Sequence, residues 1–104
     1  MDGPFYSFNS VAAEEIEKGI WTKSLTAGAV QVRHMVFESG CLIPDHRHPE
    51  EVVTMILEGE MEMTVDGETK TVKSGDVFLV PQNTGHSGRV ISKDRVIAIS
   101  WATI

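Results

Sequence analysis

His46 and His48 flank a single residue, and in an extended segment that spacing sends both imidazoles out of one face. Pro44 and Pro49 bracket the pair. Each proline drives the residue before it toward extended geometry, which favours strand over helix here. Two imidazoles on one face can chelate a metal together, and imidazole suits zinc, iron, nickel and copper and tolerates manganese. Two surface histidines beside a loop have the same spelling, so the pair alone leaves both readings open. His86 follows a short apolar run and a turn from Pro81 to Gly85. That placement suits a polar tip delivered into a barrel, and equally a plain turn histidine.

The fourth histidine, His34, shares strand parity with Val32 and Val36. It is a candidate acid/base or supporting group inside a barrel, or a histidine satisfied at the rim. Glu50 and Glu51 follow the histidine pair directly. Adjacent acids are commonly solvated, and Glu51 approaches the pair only if the kink at Pro49 turns it inward. Cys41, the single cysteine, reads as a small hydrophobe without a chemical role. Met55, Met61 and Met63 fall at strand alternation and read as packing; Trp21 and Trp101 read as packing or as the wall of a ligand pocket.

These side chains need elements to hold them. Val11 to Lys18 reads as a short helix, with Asn9 or Ser10 as N-cap and Gly19 as the stop. From Trp21 onward the chain reads as strands broken by turns: 31–38, 52–57, 60–65, 68–72, 77–80, 90–91 and 96–101. Asp66-Gly67 is the sharpest hairpin signal, because a type I′ turn requires positive φ at both central residues. Many short strands at close spacing specify an all-β sandwich or barrel, here one domain over residues 1–104.

The apolar fraction is 41% and no apolar run approaches the length of a membrane span. The first residues lack a basic segment followed by an apolar block, so the expectation is a soluble cytoplasmic protein without a membrane partner. Fifteen acidic against nine basic residues give a net charge of −6, and the arginines are scattered singly. Such a surface repels phosphate backbones, which excludes nucleic acid as the expected partner.

Gly40, His46, His48 and Gly59 stand at the spacing of the first cupin motif, G-x5-H-x-H-x3,4-E-x6-G. Gly75, Pro81 and His86 stand at the spacing of the second, G-x5-P-x-G-x2-H-x3-N, with Asn83 in the second glycine position. The chain resembles the small single-domain cupins across residues 40–90. The resemblance implies a double-stranded β-helix (a jelly-roll barrel of the RmlC-like kind), often a homodimer, with one divalent metal held inside by both motifs. Zinc, iron, nickel and manganese are the candidate ions. Metal ligands carried over by the motifs are His46, His48 and His86. The motif's carboxylate falls on Val52, which cannot coordinate, and Glu51 is one residue off the required parity.

Two functional classes follow. In one, the protein is an enzyme whose metal acts as Lewis acid on a small oxygen-rich substrate, with His34, Glu51 or a metal-bound water moving the proton. Its size and spacing are similar to those of the cupins that linearise unsaturated uronates in pectin breakdown; a three-histidine dioxygenase is the other candidate. In the second class it is a non-catalytic module that binds a small ligand. The apolar positions Met61, Met63 and Val65 offer a sheet-to-sheet dimer face. Three buried imidazoles need partners, which favours the enzyme.

Overall fold

The computed structural model describes residues 3–104, and almost all of its regular structure is strand. Ten strands form: β1 (Glu14–Glu17), β2 (Ile20–Ala27), β3 (Val30–Phe37), β4 (Leu42–His46), β5 (Val52–Glu58), β6 (Glu60–Val65), β7 (Glu68–Lys73), β8 (Val77–Val80), β9 (His86–Val90) and β10 (Val96–Thr103). They pair antiparallel into a six-stranded sheet, β1-β2-β3-β10-β5-β8, and a four-stranded sheet, β4-β9-β6-β7. The two sheets close on each other as a jelly-roll barrel. No helix among the described residues is long and apolar enough to cross a membrane.

The helix expected over Val11 to Lys18 does not form. Among the described residues the one helical element is a 3-10 turn at Phe8–Ser10, capped by the Ser7 side chain. Glu14–Glu17 instead pairs with β2 across a turn in which Gly19 sits at φ +81° and donates its N–H to Glu15. Eight residues are too few for a stable helix without packing, whereas a strand gains a ladder at once.

The core forms where the inner faces meet. Ile56, Val96 and Ala98 from the large sheet and Met61 and Met63 from the small one are almost fully enclosed. Met61 and Met63 are therefore core residues rather than a dimer face: the β6–β7 hairpin turns that side toward the large sheet. Its turn has the expected geometry, with φ of +50° at Asp66 and +80° at Gly67.

Two apolar rows lie on the outside of the six-stranded sheet. Ile99, Met55 and Val77 form one row across β10, β5 and β8, and Trp101, Val53 and Leu79 the next. Phe8 shields the β2–β3 side of this face, its ring lying against His34 at 5.9 Å. Val77 and Leu79 stay about half exposed, at 56% and 47%.

Gly59 carries the chain from the large sheet to the small one. Its φ is +87°, and a Cβ placed there would lie 2.5 Å from the Arg95 carbonyl oxygen. Left-handed strain and a backbone collision together predict that Gly59→Ala loses about 2–3 kcal/mol of stability in urea unfolding. A loss under about 0.5 kcal/mol, the usual surface effect, would refute the close approach.

Candidate metal centre

His46 ends β4, and its Cα partner across the antiparallel ladder is His86, the first residue of β9. The register shifts between Ile43 and His46, so Pro44 and Asp45 form an irregularity on the edge strand of the small sheet. A proline is tolerated there because it has no ladder bond to lose, and the irregularity re-aims the residue that follows. The rings of His46 and His86 consequently sit 4.0 Å apart, centroid to centroid. His48 lies beyond the strand end, its ring 4.8 Å from that of His86 and 5.7 Å from that of His46.

Two bonds hold the loop of His48 against the turn that precedes His86. The Asn83 N–H donates to the His48 carbonyl at 2.8 Å, and Arg47 donates to the Asn83 carbonyl at 3.3 Å. Asn83 occupies the left-handed region at φ +54°, which asparagine tolerates better than most residues. This is the physical requirement behind a glycine at that motif position.

All three rings turn the same nitrogen to the backbone. Nδ1 of His46 bonds the Pro44 carbonyl at 2.8 Å, Nδ1 of His48 the Glu50 carbonyl at 3.0 Å, and Nδ1 of His86 the Thr84 carbonyl at 3.0 Å. A carbonyl only accepts, so each neutral ring carries its proton on Nδ1 and keeps its lone pair on Nε2. One ring nitrogen from each histidine lies within 4.8 Å of the other two. Burial holds His86 below the usual histidine range, with the two neighbouring imidazoles adding to the effect against the Thr84 bond and Asp45. It is 6% exposed and neutral at neutral pH. Three imidazoles whose Nδ1 atoms face carbonyls, leaving Nε2 free, are a donor set that fits a divalent transition ion.

The histidines open into a cavity of about 440 Å³ between the sheets, within the range of small-molecule sites. Val52 lines it, on the side where the motif's carboxylate would stand. Glu51 does not reach the cluster; it is exposed and borders a separate surface depression with Glu50 and Gln82. His34 does not reach it either. Its neighbours Arg33 and Met35 line the cavity, so the alternate parity of β3 points inward. Arg33, Asp45, Thr54 and Ser100 also line the cavity, and none stood out in the sequence. An arginine two residues from an inward methionine was the available signal. Cys41 is buried, and burial followed by nearby Glu38 pushes its thiol up, which suits a packing role.

The profile of the cupin domain matches residues 33–102. The chain belongs to the cupin family. Solved cupin structures superpose on nearly its whole length. KdgF from a Halomonas species aligns with a TM-score of 0.83 at 20% identity, covering 99% of this chain and 96% of that one. An RmlC-like cupin from Shewanella frigidimarina gives 0.82 at 23% identity, covering 99% and 93%. A predicted oxalate decarboxylase from Thermotoga maritima gives 0.82 at 17% identity, covering 94% and 96%. At such identities the likeness concerns the fold. No curated protein matches the chain in sequence.

If Arg47 ties the two histidine-bearing loops together, Arg47→Ala leaves the barrel folded while the Asn83 amide exchanges its hydrogen about fivefold faster, as loss of about 1 kcal/mol implies. Unchanged exchange at that amide, read by NMR, would show that the backbone bond needs no support from the side chain.

Proposed function

We propose that this cupin is a metal-dependent enzyme acting on a small oxygen-rich molecule, with a divalent ion on His46, His48 and His86. The convergence of three imidazoles, His46 exposed, His48 half-buried and His86 buried, at the mouth of one cavity carries this reading. Such an ion supplies Lewis-acid polarisation of a substrate carbonyl, carboxylate or hydroxyl oxygen. The chain's own residues do the rest. Carbonyls of Pro44, Glu50 and Thr84 hold the rings aimed, and the apolar wall keeps bulk water from the cavity floor. Asp45, beside the cluster on the cavity rim, is the carboxylate placed to accept or return a proton. That chemistry suits isomerisation or lyase reactions of hydroxy and keto acids, and three histidines also suit a dioxygenase.

Val52 favours a second reading, a ligand-binding cupin without turnover, because it leaves the site short of the motif's fourth ligand. One experiment separates the two. Elemental analysis of protein purified without added metal should find one divalent ion per chain, and that ion should vanish in the His46→Ala, His48→Ala double variant. Metal at about 100 times its Kd should stabilise the wild type by about 2.7 kcal/mol. Turnover of a panel of hydroxy and keto acids that disappears in the double variant supports the enzyme. Bound ion without any turnover supports the binding module, and absence of an ion defeats the enzyme reading and leaves a binding module without metal.

A homodimer is part of this proposal, with a second copy covering the β10–β5–β8 outer face. The two rows there hold no carboxylate, although the chain carries a net charge of −6. Copies meet through it without bringing their acidic groups together. Sedimentation should show a dimer at micromolar concentration and a monomer for Ile99→Lys. A wild-type monomer, or a variant that still dimerises, removes this face as the interface.

A further inference from the structure

The wall opposite the histidines carries a row of polar side chains that the metal reading leaves without a task. Arg33 in β3 pairs with Ser100 in β10, and Ser100 pairs with Thr54 in β5, so the three sit side by side across the large sheet. All three line the cavity. Ser100 and Thr54 are buried, at 3% and 8% exposure. Buried hydroxyls normally find strong acceptors, yet the Ser100 hydroxyl points at the Met35 sulfur, 3.2 Å away and a weak one.

Arg33 is half-buried, and among the described residues no carboxylate comes within ion-pair distance of it. Its Nη2 donates to Gln31 Oε1 at 2.7 Å, which holds the guanidinium in one place with donors to spare. Around it the wall is apolar, with Met35, Met61, Met63, Phe78 and Val80. An unpaired cation next to such surface gains most from a desolvated anion, and a planar guanidinium matches a carboxylate in two-point geometry. Glu17 and Asp45, both exposed, stand at the rim and disfavour ligands with several negative charges.

The geometry points to Arg33, Ser100 and Thr54 as a carboxylate-recognition row, so that the cavity takes a small monocarboxylate whose acid end lies on the six-stranded sheet and whose other end faces the histidines. This deepens the metal-enzyme reading and rests on it for the ligand's orientation. The row itself makes an independent claim, preference for a carboxylate over a neutral isostere.

Matched pairs test it: lactate against lactamide and gluconate against sorbitol, titrated by calorimetry into the purified protein as isolated. The acids should bind at least tenfold more tightly than their neutral partners. Arg33→Met should erase that preference, and Arg33→Lys, which keeps charge but loses the fork, should retain part of it. Circular dichroism and metal content equal to wild type confirm that each variant keeps its fold and histidine site. Ser100→Ala should weaken the acids severalfold and leave the neutral compounds unchanged. The His46→Ala, His48→Ala variant separates the two failures. If it and the wild type both lack metal but still prefer acids through Arg33, the enzyme reading falls and the row stands. If metal binds normally and Arg33→Met or Arg33→Lys keeps the full preference, or no acid outbinds its partner, the row is overturned.

Discussion

Three backbone carbonyls decide what the histidines can do. An imidazole offers a donor and an acceptor nitrogen, and an unconstrained ring can present either one to the cavity. Here each Nδ1 is occupied by a carbonyl two residues away, so the lone pairs are assigned by the local backbone. The bonds are short-range, but the carbonyls are aimed by long-range structure. The Pro44–Asp45 irregularity depends on β4 pairing with β9, and the His48 loop depends on its tie to Asn83. Burial of His86 works in the same direction by disfavouring the protonated ring, which has no lone pair to offer.

The barrel supplies two unlike walls to one cavity. The small sheet brings His46 and His86 as a cross-strand pair, and the large sheet brings Arg33, Ser100 and Thr54 as a cross-strand row. Each set is held by a ladder and not by flexible loops, so relative positions within a set change little. Below them Ile56, Val96 and Ala98 close the barrel with packed hydrocarbon.

Most of the fold was legible because alternation and turn chemistry agree in the middle of the chain. Glu60–Val65 and Val77–Val80 match their expected bounds, and Asp66-Gly67 turns as its residues require. The histidine cluster was legible through motif spacing, which encodes the two ladder ends that meet. Parity on β3 was not legible. Val32 and Val36 on one side compete with Met35 and Phe37 on the other, so both faces read as core; His34 reads as an inward or a rim residue alike, and Arg33 is the one that lines the cavity. Both faces are apolar because the outer one is partly covered by Phe8 and otherwise left bare. On β6 the alternation is clean, with Glu60, Glu62 and Thr64 opposite Met61, Met63 and Val65, but alternation alone does not say whether the apolar face meets the core or a second copy. Strand β4 escaped notice since Pro44 breaks its alternation, and that break is what directs His46.

Val52 gives the site its electrostatic character. A carboxylate at that position would cancel part of an ion's charge and tighten its hold; valine does neither. A divalent ion on three imidazoles would keep its full positive charge, and Arg33 lines the same cavity. The exposed acids that make the chain −6 overall are mostly outside, in solvent, where screening weakens them. With that ion bound, Glu17 and Asp45 at the rim would offset only part of the positive charge inside the cavity. In the proposed orientation, the end of the ligand that faces the histidines would offer such an ion a hydroxyl or keto oxygen as donor. The ligand's own carboxylate meets donors already in place on the opposite wall. On this argument the substitution at Val52 and the unpaired guanidinium of Arg33 are two parts of one adaptation, in which the ligand completes the site.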